Sequence, residues 1–282
     1  MYCDCHIHMA LDGADWKAAL ARHKSAPDET FIRRTLEHYR DLGFTFLRDG
    51  GDRWGAGEFA ARIAAEYGIR YRTPCFPIYK RGHYGSFIGR GYETLDEFRA
   101  LVAEVKARGG QFVKIMISGI MDFDRFGVLS EPGMDPGEIR QVISAAKAMG
   151  MSVMAHANGA ETVRAAAEAG VDTVEHGAYL NRDALQACAD NGVIWVPTLS
   201  AIGNLRGKGR FSEPDVERIL ASAMENVALY ASMGGLIAPG TDAGAWAVPH
   251  GSLTEYALLK ECLGSGWGTL LDRGIRALEA RF

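Results

Sequence analysis

Short apolar or β-branched segments alternate with longer amphipathic segments along the whole chain. This alternation predicts repeated β-α units built around a parallel sheet. Eight segments qualify as strands, at residues 2–8, 44–49, 70–76, 111–117, 151–156, 171–176, 193–197 and 236–241. A helical segment follows each one, and eight units are the number that closes a (β/α)8 barrel. We therefore expect an α/β protein with the (β/α)8 TIM-barrel architecture.

The residues between the elements support this count. Thr94 and Asp135 are predicted helix N-caps, and Pro136 suits the first turn of a helix. Most predicted strands are preceded by a glycine that lets the previous helix end in a left-handed conformation, namely Gly43, Gly68, Gly110, Gly150, Gly170, Gly192 and Gly235. The eight units occupy the whole sequence, so we predict a single domain over residues 1–282.

Residues that can bind metal ions stand at the carboxyl ends of the predicted strands, where such a barrel places its chemistry. His6 and His8 close the first strand, His156 the fifth and His176 the sixth, while Asp242 follows the eighth. Side chains two apart on a strand point to the same face, so His6 and His8 can bind one cation. Imidazole and carboxylate ligands suit zinc and similar divalent ions.

Lys114 lies inside the predicted fourth strand, in the apolar segment FVKIMI. Burying an ammonium group beside cations costs free energy through both desolvation and repulsion. Reaction with carbon dioxide would convert this lysine to a carbamate, an anionic ligand that can bridge two metal ions. The alternative is a lysine that pairs with a nearby acid or extends towards solvent.

Several motifs fall in order along nearly the entire chain: DCHIH at 4–8, VKIMISG at 113–119, VMAHANG at 153–159, VEHGAYL at 174–180, VPTLSA at 196–201, PGTDAG at 239–244 and HGSLTEYALL at 250–259. Through this set of motifs, the sequence resembles the amidohydrolase superfamily. The resemblance is strongest to the binuclear metal-dependent branch that includes prolidase-like and imidazolonepropionase-like hydrolases.

The resemblance implies a role for each residue of the set. His6, His8 and Asp242 would hold the more buried of two divalent metal ions, with zinc expected, and His156 and His176 would hold the other. Carboxylated Lys114 and a hydroxide would bridge the two ions. Such ions acidify the bridging water and polarise a substrate carbonyl. Asp242 would be the catalytic residue that passes the proton to the leaving nitrogen.

We therefore expect a metal-dependent amidohydrolase that cleaves an amide or peptide-like C–N bond of a small molecule, such as a dipeptide or an N-acyl amino acid. An ester or lactone is a variant of this expectation, since the same ions activate either carbonyl. Many family members carry a small flanking β-sandwich built from both chain ends. Here the first predicted strand begins at residue 2 and the last helix ends at the C-terminus, so we expect a barrel without it. This leaves the oligomeric state open, a homo-oligomer included.

Substrate contacts are expected from two places. The loop that follows the third strand contains Arg81, His83 and Tyr84 among glycines, a composition suited to holding a carboxylate, although a solvated loop would look the same. Tyr179 lies three residues beyond His176 and can reach a bound substrate.

Three further polar residues have alternative interpretations. Asp49 can orient a ligand histidine, or it can pair with a neighbouring arginine. Asn158 can touch substrate or cap a helix. His250 is read as a packing residue outside the metal set.

Two other functions stay open at this point. A mononuclear deaminase of the same superfamily would carry a glutamate soon after the fifth-strand histidine, where this chain reads HANGAET, and would not need Lys114. A barrel that binds a ligand without catalysis is the other alternative.

Composition excludes several classes of function. The net charge is −4 and no long run of either sign occurs, which argues against nucleic acid as a partner. The first residues, MYCDCHIHM, lack the pattern of a signal peptide, and no apolar run is long enough to span a membrane. We expect a cytoplasmic protein with no membrane partner. Five scattered cysteines predict reduced thiols.

Overall fold

The computed structural model describes residues 2–282, which form an α/β fold with two parallel sheets. The strands are β1 Tyr2–Ile7, β2 Phe44–Asp49, β3 Arg70–Arg72, β4 Pro77–Lys80, β5 Arg90–Tyr92, β6 Phe112–Met116, β7 Ser152–Ala157, β8 Thr173–His176, β9 Ile194–Val196 and β10 Leu236–Ile237. One sheet has the order β1-β2-β3 and the other the order β10-β9-β8-β7-β6-β4-β5. Strand pairing within both sheets is parallel.

The helices alternate with the strands along the chain, and the last two helices follow the last strand. They are α1 Trp16–Arg22, α2 Glu29–Asp41, α3 Ala56–Ile63, α4 Leu95–Ala107, α5 Pro136–Ala148, α6 Ala160–Glu168, α7 Arg182–Asp190, α8 Ser200–Gly203, α9 Glu213–Ser232, α10 Thr254–Leu263 and α11 Trp267–Arg281. Strand β6 is buried along its whole length, as expected for a parallel strand covered by helices. Within residues 2–282, none of these helices combines the length and the apolar character that crossing a bilayer requires.

The two sheets are joined to each other by backbone hydrogen bonds at both sides. At one side, the segment after β10 lies along β1: Cys5 N donates to Pro239 O (2.9 Å), Asp242 N to His6 O (2.8 Å) and His8 N to Ala243 O (2.7 Å). At the other side, residue 111, just before β6, donates its backbone N–H to the carbonyl of residue 73, just after β3 (3.1 Å). These hydrogen bonds bring the start of the chain next to residues 239–243.

The predicted third strand is interrupted. Residues 70–76 contain only the short strand β3, and the predicted loop at 77–92 contains β4 and β5. The break covers residues 73–76, with Pro74 inside it and Pro77 directly after it. A proline has no N–H to donate to a neighbouring strand. Cys75 between them adopts a left-handed conformation with φ 63°. The chain therefore turns once before it pairs with β6 as β4.

Helix starts follow the sequence prediction, and two helix ends depart from it. The Thr94 side chain accepts from Glu97 N, and the Asp135 side chain accepts from the first turn of α5, so both predicted caps are confirmed. At two of the predicted left-handed glycines, the preceding residue takes that conformation instead, Gly109 with φ 84° and Gly234 with φ 81°. The predicted glycines themselves, Gly110 and Gly235, lie close to neighbouring atoms. A Cβ on Gly235, for example, would lie 2.4 Å from the Tyr230 ring.

Candidate active site

Two histidines and an aspartate meet where β1 ends beside the segment after β10. The Nε2 atoms of His6 and His8 lie 3.4 Å apart. Asp242 Oδ1 is 3.5 Å from the first of these nitrogens and 3.2 Å from the second. Both histidines are buried, and the Asp242 side chain is 13 % exposed. Two imidazole nitrogens and a carboxylate oxygen in this arrangement can hold one divalent cation.

Two more predicted ligands lie beside this group. The His176 ring centroid is 5.0 Å from that of His6 and 4.6 Å from that of His156. His156 Nε2 donates to the Gly119 carbonyl (3.1 Å), which leaves Nδ1 as its free lone pair. His176 uses Nδ1 for a hydrogen bond to Thr198 Oγ1 (2.7 Å), which leaves Nε2. Each ring therefore has one nitrogen in a protein hydrogen bond and the other available to a metal ion.

Lys114 projects from the middle of β6 and is 1 % exposed. Its Nζ has no hydrogen-bond partner among residues 2–282, so it neither pairs with an acid nor extends to solvent. Burial lowers the pKa of the amine from 10.5 to about 8. The positive charge of Lys114 also lowers the pKa of His6 and of His156.

Three buried histidines of the site, His6, His156 and His176, are neutral at physiological pH. Burial, followed by neighbouring positive charge, holds the pKa of His6 and of His176 well below 6.5. Burial likewise lowers the pKa of His156 to about 3. A neutral imidazole is the form that binds a metal ion, so this environment prepares the rings to act as ligands.

Three non-glycine residues of the site have left-handed backbone conformations. His176 has φ 67°, Thr198 has φ 49° and Asp242 has φ 61°. Such conformations cost free energy and persist only where the surroundings hold them, which is typical of active sites. For Asp242 the support comes from Asp4, whose carboxylate accepts from the backbone N–H and the hydroxyl of Thr241 (2.9 and 2.6 Å).

The structure also contains an ion pair that the sequence analysis missed. His6 Nδ1 lies 2.7 Å from Glu175 Oε2, and Arg48 Nη2 lies 2.9 and 3.0 Å from the two oxygens of the same carboxylate. Arg48 and Glu175 are both completely buried. The signal was a charged residue inside an apolar strand, the same signal that identified Lys114. Applied to β2 and β8, it would have found two buried charges of opposite sign.

The predicted substrate residues fall into two groups. The Tyr84 ring lies 5.0 Å from the His156 ring, and its backbone N–H donates to Glu131 (2.6 Å). His83 is also near Glu131, at 3.6 Å, and its side chain is 40 % exposed. Arg81 instead pairs with Glu97 of α4 (2.9 Å) and is 53 % exposed, so we leave it out of the site.

Tyr179 lies just past β8, with its ring 5.3 Å from that of Phe126. Its hydroxyl is buried and has no hydrogen-bond partner within residues 2–282. The structure therefore places Tyr179 against the loop that follows β6.

The residues with alternative interpretations have structural partners. Asp49 accepts from Met9 N (3.0 Å) and from Thr73, and it bonds neither a ligand histidine nor an arginine. Asn158 accepts from Ala178 N (2.9 Å) and donates to a carbonyl of the loop after β6, so it ties neighbouring loops together. His250 bonds Leu11 O (2.9 Å) and acts as a packing residue.

Comparison with known proteins identifies a family. The model of the Amidohydrolase family matches residues 3–280. Ochratoxinase from Aspergillus niger is 24 % identical over 231 residues, which cover 71 % of this chain and 47 % of that protein. An uncharacterized protein of Mycobacterium tuberculosis is 28 % identical over 179 residues, covering 61 % of this chain and 47 % of its own length. This chain thus spans about half the length of the curated relatives it matches.

Solved structures share the fold. A Xaa-Pro dipeptidase with bound methionine in its active site superposes with a TM-score of 0.79 at 22 % identity, covering 99 % of this chain and 75 % of the other. The crystal structure of A. niger ochratoxinase superposes with a TM-score of 0.76 at 20 % identity, covering 99 % of this chain and 68 % of the other. The fold similarity therefore extends over all the elements that carry the site.

Proposed function

The chain belongs to the Amidohydrolase family, as its sequence motifs predicted, and on this premise we propose that it is a metal-dependent hydrolase. Its reaction would be the cleavage of an amide or peptide-like C–N bond in a small molecule. The observation that carries the proposal is the convergence of His6, His8 and Asp242 beside His156 and His176. These side chains come from the ends of β1, β7 and β8 and from the segment after β10, and they meet at the carboxyl ends of the strands.

We infer that β1 to β3 and β6 to β10, with β4 continuing β3, form the eight-stranded (β/α)8 barrel expected from the sequence, in one domain. The backbone hydrogen bonds that join the two sheets at both sides support this architecture. A barrel places the loops that follow its strands at the catalytic face.

The donor set fits two divalent cations, and zinc suits ligands of these types. His6, His8 and Asp242 would hold one ion through the atoms that already face one another. His156 and His176 would hold the second through Nδ1 and Nε2, respectively. The buried and unpartnered Nζ of Lys114 would react with carbon dioxide and, as a carbamate, be shared by both.

Bound ions would supply an acidified water and a polarised substrate carbonyl. The Asp242 carboxylate, held in its left-handed turn, would accept the proton of that water and pass it to the leaving nitrogen. The neutral imidazoles would keep the ions in place without competing for this proton. Tyr84, beside His156, would lie against the substrate and exclude water from that side.

The substrate class follows from the relatives' names and from the rim of the site. Names such as ochratoxinase and Xaa-Pro dipeptidase belong to those proteins, and they motivate dipeptides and N-acyl amino acids as first candidates here. His83, Tyr84 and Tyr179 are the residues we propose to contact these substrates. The deaminase is disfavoured, because Asn158, near the position where that group carries its glutamate, is an amide that ties two loops together.

The test is a substrate screen on matched protein samples. One sample is stripped with chelator, the second is stripped and reloaded with Zn²⁺ in the presence of bicarbonate, and both are assayed against dipeptides, N-acyl amino acids, esters and lactones. We expect hydrolysis of an amide in the reloaded sample alone. Release of ammonia from an amino-substituted ring would instead indicate the deaminase. Metal binding with no turnover of any class would favour a ligand-binding barrel.

A further inference from the structure

The buried ion pair below His6 has a fixed pattern of donors and acceptors. Glu175 Oε1 accepts from Arg48 Nη2 and from the Thr173 hydroxyl, while Oε2 faces Arg48 Nη2 and His6 Nδ1. Arg48 is itself held by two further hydrogen bonds, from Nε to Cys5 O (2.7 Å) and from Nη1 to Thr173 Oγ1 (3.0 Å). The guanidinium therefore cannot turn away from the carboxylate without losing both.

This pattern determines which nitrogen of His6 carries its proton. A guanidinium has only donors, and its contacts with both Glu175 oxygens pair it with a carboxylate, whose oxygens can only accept. Oε2 then has no hydrogen to give to His6, and the ring must donate from Nδ1. The other nitrogen, Nε2, is left as a lone pair pointing at His8 and Asp242. That lone pair is the one the proposed metal site requires.

His156 also has a fixed tautomer, because the Gly119 carbonyl can only accept. His176 and His8 have weaker constraints. The partner of His176 is the Thr198 hydroxyl, which can either donate or accept. The Nδ1 of His8 is buried with no partner in residues 2–282. Among His6, His8 and His176, only His6 has its tautomer set by a carboxylate that is paired with a guanidinium.

We propose that Glu175 and Arg48 are positioning residues that act together to hold His6 in the Nδ1–H tautomer and so make it a metal ligand. This inference rests on the proposed function, because it assigns His6 to a metal ion. It adds to that function the reason why a charge pair is buried beneath the site: Glu175 sets the tautomer, and Arg48 fixes the orientation and charge of Glu175.

The proposal predicts an unusual effect of Glu175→Gln. An amide has one oxygen and one NH2 group. Arg48 donates towards both positions, but the Thr173 hydroxyl donates at the Oε1 position alone, whereas His6 can either donate or accept, so the amide oxygen takes the Oε1 position. The NH2 group then faces His6 Nδ1 and donates to it. This forces the proton of His6 onto Nε2 and blocks the lone pair that the metal ion needs.

Removing the guanidinium should reverse this effect. In the double variant Arg48→Met, Glu175→Gln, the amide is free to turn its oxygen to His6 and its NH2 group to Thr173, which restores the Nδ1–H tautomer. The double variant Arg48→Met, Glu175→Leu has a similar volume and carries neither charge, but it offers His6 no acceptor. These two neutral doubles form a matched pair even if Glu175→Gln alone, with an unpaired buried arginine, fails to fold.

The experiment has two readouts. Two-bond ¹H–¹⁵N NMR spectra of metal-free protein labelled with [¹⁵N]histidine report the His6 tautomer without any metal. Competition between the protein and a chromophoric chelator for Co²⁺ reports affinity. We expect Glu175→Gln to show Nε2–H on His6 and to bind Co²⁺ about 10- to 100-fold more weakly. The parent tautomer and most of the Co²⁺ affinity should return in Arg48→Met, Glu175→Gln but not in Arg48→Met, Glu175→Leu. Thr198→Val should leave the His6 tautomer as in the parent protein.

Two results would overturn the inference. One is a folded Glu175→Gln protein in which His6 keeps Nδ1–H and binds Co²⁺ as the parent does. The other is equal affinity in the two neutral doubles. Failure of the proposed function looks different, because the parent protein would then bind no Co²⁺ while its His6 tautomer was still Nδ1–H.

Discussion

The two halves of the site are built from different sets of donors. His6, His8 and Asp242 bring two nitrogens and an oxygen within 3.5 Å of one another, a set that could hold a metal ion without any covalent change to the chain. His156 and His176 have rings 4.6 Å apart, and within residues 2–282 no acid joins them in such a group. We propose Lys114 as the missing ligand, which can bind a cation only after it loses its own charge.

This difference indicates an order of assembly. The complete half, which consists of His6, His8 and Asp242, should bind a cation on its own. The incomplete half, which consists of His156 and His176, should depend on carbon dioxide and on the first ion. The supporting contacts follow the same division, since His6 is backed by a buried carboxylate and His176 by a neutral hydroxyl. The predictions that follow probe one half against the other, starting with the largest expected effect.

Asp242→Asn should separate the two roles of the aspartate in the complete half. The amide oxygen can still face a cation, but it cannot accept a proton at neutral pH. We expect kcat to fall by about 10²- to 10⁴-fold while much of the metal is retained, measured by steady-state kinetics and elemental analysis. Near-normal turnover in this variant would remove the proton-transfer role.

His8→Ala and His176→Ala should have unequal effects on metal content. His176→Ala leaves the complete half intact and should retain about one ion per chain after dialysis. His8→Ala leaves that half with two ligands and should retain less. Equal losses in the two variants would contradict the difference between the halves.

Thr198→Val removes the hydroxyl behind His176 and keeps the volume of the side chain. Loss of a group that orients a metal-bound histidine typically weakens metal binding about 10- to 100-fold. We expect this loss for the second ion only, measured by stepwise titration with a chelator. The first ion serves as the internal control, and an equal weakening of both ions would argue against separate support.

Loading of the second ion should depend on pH and bicarbonate. Only the neutral amine reacts with carbon dioxide, and burial lowers the pKa of Lys114 to about 8. The neutral fraction therefore rises as pH increases through 8, by about tenfold per unit below that value. The rate of loading, followed by recovery of activity in stripped protein, should rise accordingly when the bicarbonate added at each pH is adjusted to keep dissolved carbon dioxide constant. A rate independent of both pH and bicarbonate would count against the carbamate.

The sequence was sufficient for features that depend on local pattern. Alternating segments predicted the parallel α/β fold, and spacing within single strands identified His6, His8 and Lys114. Features that depend on distant residues were missed. Arg48 and Glu175 pair across 127 positions, and neither is informative until β1, β2 and β8 are brought together.

Burial of some polar residues also depends on distant contacts. A histidine in a helical segment usually faces solvent, yet His23, directly after α1, is 1 % exposed and its Nδ1 accepts from Asp28 N. The interrupted third strand has a related cause. Residues 70–76 match a strand in hydrophobicity, but Pro74 interrupts the pairing that hydrophobicity alone predicts.

The most direct test of this account is the metal content of the parent protein and of Lys114→Ala, each purified without chelator and reloaded with Zn²⁺ and bicarbonate. We predict about two ions per chain in the parent and about one in the variant, with the remaining ion held by His6, His8 and Asp242. Two ions in Lys114→Ala, or a single ion in the parent under the same conditions, would contradict the account.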